Sequence, residues 1–465
     1  MMQEIYAIKE LTDEIELDGD YNITQAALFL GALCDGPLTL KKYNAGRDTA
    51  HTVDFLTSLG VDIEIFESAI VINYSEFGSN GDGGSFKLTG SIMTLSLAIG
   101  LMVGKNIVGA VEYDGEINPD AVDELVMLLN KEGLDVVHFD PAHCHEYPTG
   151  RGVVIIRDNR LVPIHRRIKS IMPFYKACLL MYGFASGCPV IIEEEYKTDD
   201  WLEMTANFLK AGITIRDARQ EWQADPHDPR KRAKVTDMEF ARLITLGPAS
   251  MLSGGEIAIP TDVYETAAFM TFTVLQNREI VIPSVYLNRA FNKYLQHLKT
   301  CGCDYQISNR DQTAGWPLGD LHLKGARPKN RKLADNSARS VAEFYPLIAV
   351  MAAIADGTTL VRNLGELDTW YFQPFAELVD NFDRCGIKGG VLEDGFIIEA
   401  VNELNGDDFG PFANRITALA FYILARCGKG RSTIANYEII TENFPVLVDY
   451  FKGKILKPAE ISTDG

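Results

Sequence analysis

The sequence predicts an α/β protein of two similar domains, each holding three copies of one helix–strand–helix–strands unit. Three observations carry that prediction. The chain has 465 residues, more than one ordinary hydrophobic core accommodates. An apolar helix that stops near a Gly and runs into a short alternating strand recurs at 33–40, 101–113, 181–193, 272–286, 351–361 and 422–437. A second amphipathic helix, again closed by Gly and followed by a strand, alternates with it at 55–64, 128–137, 208–215, 298–307 and 382–390. The spacing makes a unit of roughly 70–90 residues, longer than a solenoid repeat.

Taken in order, each helix carries a stop signal. In the first series the stops are Gly36, Gly104, Gly187, Asn277, Gly357 and Gly428; in the second they are Gly60, Gly133, Gly212, Gly302 and Gly386. Gly and Asn accept the left-handed conformation that ends a helix, so these positions are expected at C-caps. The sixth unit is cut short after Phe444-Pro445-Val446-Leu447. The apolar runs 95–103 and 347–355 fall short of the roughly 18 residues a membrane span needs and read as buried helices.

Composition narrows the function classes. Hydrophobic residues make up 46% and charged residues 23%, the balance of a soluble globular chain. A formal charge of −20 argues against a nucleic-acid partner, because phosphate binding needs a basic surface. The N-terminus lacks a basic region followed by an apolar one, so a cytoplasmic location is expected. The eight cysteines form no paired zinc spacing and read as reduced thiols, Cys301-Gly302-Cys303 included. His138, Asp140, His143 and His145 crowd one Pro-containing stretch, but nothing fixes their geometry; a solvated loop is the simpler reading, and no metal is expected.

The stretch Asp18-Gly19-Asp20-Tyr21-Asn22 through Ala26-Ala27-Leu28 resembles the opening motif G-D-K-S-x-x-x-R-A-L of the enolpyruvyl transferases, of the 5-enolpyruvylshikimate-3-phosphate synthase type. Other pieces follow in that family's order. Gly46-Arg47-Asp48-Thr49-Ala50-His51 resembles D-D-T-x-H, and Trp201-Leu202-Glu203-Met204-Thr205 resembles Y-I-D-M-T. The segment 284–294 resembles the strand and helix start with L-N-P-T-R, 315–321 resembles G-E-P-x-G-D-L, and 341–350 resembles I-P-D-L-V-P-A-L-A-V. The resemblance spans nearly the whole chain. It implies two inside-out α/β barrel-like domains, each of three βαβαββ repeats, with the ligand cleft between them. It also implies a discontinuous first domain, 1–19 plus 258–465, with the second, 20–257, inserted in it. The family's reaction moves an enolpyruvyl group from phosphoenolpyruvate to a hydroxyl without a cofactor.

Most residues that would carry this reaction are replaced. Tyr21, Asn22 and Ala26 stand where the opening motif has Lys, Ser and Arg. Ser96 replaces the Arg of a second Gly-rich turn, and 117–120 lacks the Arg of the R-P loop. Ile171, Met172 and Pro173 fall on S-S-Q; Trp370, Tyr371, Phe372, Gln373 and Pro374 fall on K-E-S-D-R; Glu442 falls on the last Lys. By the resemblance, Glu343 keeps the catalytic Asp position and Arg415 one phosphoenolpyruvate Arg. Thr198 keeps a phosphate-binding hydroxyl, Trp201 an aromatic near the acceptor, and Asp48 an acidic turn position. Seven cationic positions are lost. At about 1.5–3 kcal/mol for each charged hydrogen bond, that exceeds the binding energy of a micromolar ligand. Arg166, Arg167 and Lys169, just before the S-S-Q position, are the nearest candidates for a relocated anion site. The basic clusters at 230–234 and 327–332 read as solvated turns.

Three functional readings remain open. The chain is a diverged enzyme acting on a less anionic small molecule, with Glu343 as acid or base, Arg415 holding a carboxylate or phosphate, and Tyr21, Asn22, Lys169, Trp370 and Tyr371 shaping the cleft. Or it is a non-catalytic binding or assembly relative, its cleft filled by Tyr21, Trp370, Tyr371 and Phe372. Or it performs the family's ordinary reaction. Each site residue also has a plainer role: Glu343 as a helix-start carboxylate, Arg415 as a structural ion-pair partner, the aromatics as filling.

Overall fold

A computed structural model of the chain describes residues 3–8, 15, 17–73, 77, 84–114, 117–139, 152–225, 228–312, 315–371 and 373–452. They form an α/β fold built from six βαβαββ units in two sets of three. The second unit shows the pattern in full. Gly84–Leu88 pairs parallel with Gly109–Tyr113, which pairs antiparallel with Gly152–Ile156, which pairs antiparallel with Val136–Phe139. The helices Ile92–Gly104 and Pro119–Lys131 connect these strands. The third and fifth units repeat the same strand order. The third also carries a hairpin, Gln220–Asp225 with Asp228–Thr236, that the periodicity does not announce.

The first and sixth units are completed by distant chain. Leu38–Lys41 takes its parallel partner from Gly255–Ala258, and Arg431–Ile434 takes its antiparallel partner from the N-terminal Gln3–Tyr6. In the fourth unit the opening strand shrinks to a single parallel bridge, Thr261 to Val285.

One helix of every unit is apolar nearly all round, and such a helix must be buried. Tyr21–Gly31, Ile92–Gly104 and Pro173–Ser186 make the inside of the first set of three units. Val263–Leu275, Tyr345–Ala352 and Arg415–Cys427 make the inside of the second. The helices are thus the core and the sheets lie outside them. Packing between Ile92–Gly104 and Pro173–Ser186 is tight. A Cβ on Gly100 would lie 2.5 Å from the Cys178 carbonyl oxygen, and one on Gly104 would lie 2.6 Å from Cβ of Ala185.

That packing corrects part of the cap reading. Gly60, Gly133, Gly212, Gly302 and Gly386 are all left-handed, with φ from 70° to 95°, and so are Gly187, Asn277 and Gly357. Gly36, Gly104 and Gly428 are not. Gly104 is there for helix–helix approach, and the left-handed residue after its helix is Asn106, φ 54°. The described cysteines are free thiols. No helix among the described residues is long and apolar enough to cross a membrane.

Candidate functional site

The N-terminal ends of the buried helices meet at one cleft. Tyr21, Ile92, Phe174, Tyr264 and Ile416, each in the first turn of a different core helix, line one chamber of about 90 Å³. Glu343 joins them from the short turn Ala342–Phe344 that leads into Tyr345–Ala352. Helix N-termini carry unpaired N–H groups and partial positive charge, so this fold directs positive potential into the cleft whatever its side chains are.

This chain spends much of that potential on itself. Asp20 caps Tyr21–Gly31 and Asp262 caps Val263–Leu275. Asp262 also reaches across, accepting the Tyr21 N–H at 2.9 Å. The Asn414 carboxamide accepts the N–H groups of Ile416 and Thr417, at 2.8 and 3.0 Å. Burial and mutual repulsion push the Asp20 carboxyl well above its ordinary value.

Tyr21 organises the chamber. Its hydroxyl lies 2.8 Å from Oδ2 of Asp48, 2.9 Å from Oγ1 of Thr94 and 3.2 Å from Oγ of Ser91. The Arg415 guanidinium sits on the Tyr21 ring, 3.5 Å from its centroid, and donates to Oδ2 of Asp48 at 3.1 Å. The Arg415 side chain is 19% exposed and that of Asp48 only 5%. Arg415 is the one Lys or Arg lining this chamber among the described residues, and its charge is already matched.

Glu343 accepts a short hydrogen bond from the Tyr264 hydroxyl. Burial pushes its carboxyl up, while that hydrogen bond and the Arg415 charge pull it down. Burial and the Glu343 charge push the Tyr264 hydroxyl far up, so it holds its proton. A carboxyl held this way is positioned to give or take a proton. Tyr371 closes the chamber beside Glu343 and Arg415, and Trp370, 6% exposed, meets Phe174 edge-on at 6.3 Å.

A second chamber of about 60 Å³ adjoins the first, and Asn22, Pro173, Glu343 and Trp370 line both. Its other walls hold Thr198, Trp201, Asp199 and three cations, Lys197, Arg289 and Arg339. Thr198 donates its hydroxyl to Glu194 at 2.5 Å. Asp199 accepts the Ala290 N–H at 3.1 Å, and burial, with Glu343 and Asp200 nearby, pushes its carboxyl up to about 7.

Of the residues singled out in the sequence, Glu343, Arg415, Asp48, Tyr21, Asn22, Trp370 and Tyr371 meet in the first chamber; Thr198 and Trp201 line the second. Lys169 is exposed and joins neither chamber. Arg166 pairs with Glu132, and Arg167 with Glu195 at 3.1 Å. His138 bonds Tyr113 at 2.6 Å and Asp123 at 2.8 Å; Asp140, His143, His145 and Phe372 lie outside the described residues. No cluster among the described residues has metal-binding geometry. Sequence reasoning missed Tyr264, Ser91, Thr94, Asp199, Arg289 and Arg339. Ser91 and Thr94 lay inside the second Gly-rich turn and Arg289 directly after Asn288, the signals that were available.

Side chains also tie the two sets of units together across the cleft. Nδ2 of Asn118 donates to the carbonyls of Asp368 and Thr369, at 3.2 and 3.1 Å. Trp316 stacks on Phe208 with ring centroids 6.0 Å apart.

The sequence profile of the EPSP synthase (3-phosphoshikimate 1-carboxyvinyltransferase) family matches residues 5–451. This chain belongs to the EPSP synthase family. A 3-phosphoshikimate 1-carboxyvinyltransferase from Synechococcus sp. (strain JA-3-3Ab) is 23% identical, over 97% of this chain and 96% of the relative. One from Clostridium tetani is 22% identical, over 95% and 94%. Among solved structures, EPSP synthase from Acinetobacter baumannii superposes with a TM-score of 0.75 at 18% identity, covering 98% of each chain. The enolpyruvyl transferase NikO from Streptomyces tendae superposes with a TM-score of 0.66 at 13% identity, covering 97% of each. At these identities the structural likeness establishes the fold.

Proposed function

We propose that this EPSP synthase-family chain binds a small molecule of low negative charge in its cleft and exchanges a proton with it through Glu343. The reading does not extend to the joining of phosphoenolpyruvate and 3-phosphoshikimate. The observation that carries it is the state of Arg415, stacked on Tyr21 and paired with Asp48. A doubly charged ligand would have to displace Asp48 or enter a chamber whose other lining carboxylate is Glu343. Charged groups removed from water need charge-assisted partners. The two bodies that close on the ligand are taken as residues 1–19 with 258–465 and residues 20–257.

The names of the relatives favour a second reading, the ordinary carboxyvinyl transfer. Its physical support here is the convergence of the helix N-termini, which attract anions without any Lys or Arg.

Thermal unfolding separates the two. A ligand at 100 times its dissociation constant stabilises the folded state by about 2.7 kcal/mol. Phosphoenolpyruvate and 3-phosphoshikimate, separately and together, are expected to leave the unfolding temperature unchanged. A clear shift with the pair would establish the second reading. Glu343→Gln then distinguishes an enzyme from a binding protein, because only an enzyme loses turnover while keeping ligand affinity.

A further inference from the structure

The chain passes between the two sets of units at 17–20 and again at 258–262, and these two segments pair with each other. The Asp20 N–H donates to the Pro260 carbonyl at 2.7 Å, and the Asp262 N–H to the Asp18 carbonyl at 2.9 Å. Gly19 and Thr261 form the antiparallel bridge between them. Two side chains span the crossing as well. Oδ2 of Asp18 accepts the Ala45 N–H at 2.8 Å, and Nζ of Lys42 donates to Oγ1 of Thr261 at 2.8 Å. The fit has no slack: a Cβ on Gly19 would collide with the Lys42 carbonyl oxygen.

Behind the crossing sits Glu265, in the first turn of Val263–Leu275 and fully buried. Its Oε2 accepts the Asp18 N–H at 3.2 Å, and its Oε1 has no hydrogen-bond partner among the described residues. A carboxylate with one N–H and no water is costly to hold, so this carboxyl keeps a proton. Asp262 differs, because its oxygens accept the N–H groups of Tyr21, Tyr264 and Glu265, which hold its charge. The groups that face Glu265 are the carboxyls of Asp18 and Asp262 and the Lys42 ammonium. Asp18 faces Asp262, Lys42 and the Tyr43 hydroxyl besides Glu265. Burial, with the Asp262 charge adding to it, pushes the Asp18 carboxyl up to about 6 and that of Glu265 well above its ordinary value.

We propose that Asp18 and Glu265 share one proton as a latch on this crossing, which holds the two bodies of the chain together until the proton leaves. The latch rests on the division into residues 1–19 with 258–465 and residues 20–257, and on no property of the ligand. With the proton in place the pair carries one negative charge, which the Ala45 N–H and Lys42 satisfy. Without it, two neighbouring carboxylates face one ammonium in a dry site. The second charge reaches water only if the Asp18–Ala45 and Lys42–Thr261 contacts part. The bodies are therefore held at low pH and released as pH rises.

Small-angle X-ray scattering of the full chain at pH 5.5, 7 and 8.5, at one ionic strength, tests this. The radius of gyration should grow with pH while the far-ultraviolet circular dichroism stays constant. Glu265→Gln carries no charge and can still accept the Asp18 N–H, so it should keep the parent's low-pH size throughout. Should that variant fail to fold, Asp18→Asn carries the same expectation, because its amide oxygen can accept the Ala45 N–H and the remaining carboxyl has lost its charged neighbour. Growth that persists in the variants overturns the latch while leaving the two bodies able to move. A parent whose size is constant over the range overturns it too, and so does growth accompanied by loss of the circular-dichroism signal, which is unfolding. None of these outcomes bears on the ligand reading, which the unfolding shifts with phosphoenolpyruvate and 3-phosphoshikimate decide.

Discussion

The two chambers of the cleft share a wall but solve opposite problems. In the aromatic chamber Tyr21 is bonded to Asp48, Ser91 and Thr94, Arg415 to Asp48, and Glu343 to Tyr264. In the cationic chamber Arg289 has one protein hydrogen bond, to the Lys197 carbonyl, and its charge acts on the nearby Asp199 carboxyl. The first is a finished piece of core and the second an unfinished one. Side chains that satisfy one another contribute to folding, whereas side chains left unsatisfied are kept available for a ligand.

Stability measurements should separate the chambers. The largest expected loss is Trp370→Ala. Trp370 is 6% exposed and packs on Phe174, and deleting a buried Trp side chain costs about 3–5 kcal/mol. Arg415→Ala comes next, at about 2–3 kcal/mol. It strands Asp48 in a nearly dry site, discounted because Arg415 itself is partly exposed. Tyr21→Phe keeps the ring under Arg415 and removes only the hydroxyl, for about 1–2 kcal/mol. Arg339→Ala, in the cationic chamber, should cost under about 1 kcal/mol, since its pair with Glu366 is solvent-screened. Urea unfolding of the four variants checks the order. Equal losses in both chambers would erase the distinction between them.

How much of this was legible follows the range of the interactions. The six units could be read because helix and strand periods and their glycines are local, and eight of the eleven marked stops, seven glycines and Asn277, do adopt φ above 20°. Gly104 misled, because a glycine that admits a neighbouring helix looks the same as one that ends its own. The strands that complete the first and sixth units, Gly255–Ala258 and Gln3–Tyr6, pair with segments hundreds of residues away, which no local pattern encodes. The site divides the same way. Tyr21, Asp48, Glu343 and Arg415 stood out one at a time, through the family resemblance. Their mutual saturation did not, because Tyr21 and Asp48 meet Arg415 only once the two sets of helices face each other. Arg289 and Arg339 match no motif residue, and their relevance comes from the chamber that the fold builds around them.

A pH dependence links the two chambers. Asp199 lies in the cationic chamber, and Glu343, which lines both, helps to raise its carboxyl from the ordinary 3.8 to about 7, after burial itself. The folded state therefore binds a proton that the unfolded chain releases at lower pH. Stability from this group is fully present below about pH 4 and is lost as pH rises through 7. Asp18, raised to about 6 mainly by burial, acts in the same direction over a narrower window. Asp199→Asn should thus flatten, without abolishing, the decline in stability between pH 4 and 7, and the variant should gain on the parent chain as pH rises. Denaturant unfolding at pH 4.5, 6 and 7.5 measures this. If Glu343→Gln, which removes the neighbouring charge, also flattens the decline, the two carboxyls titrate as a linked pair across the shared wall. If it leaves the slope unchanged, burial and Asp200 raise Asp199 without Glu343, and the chambers are electrostatically separate.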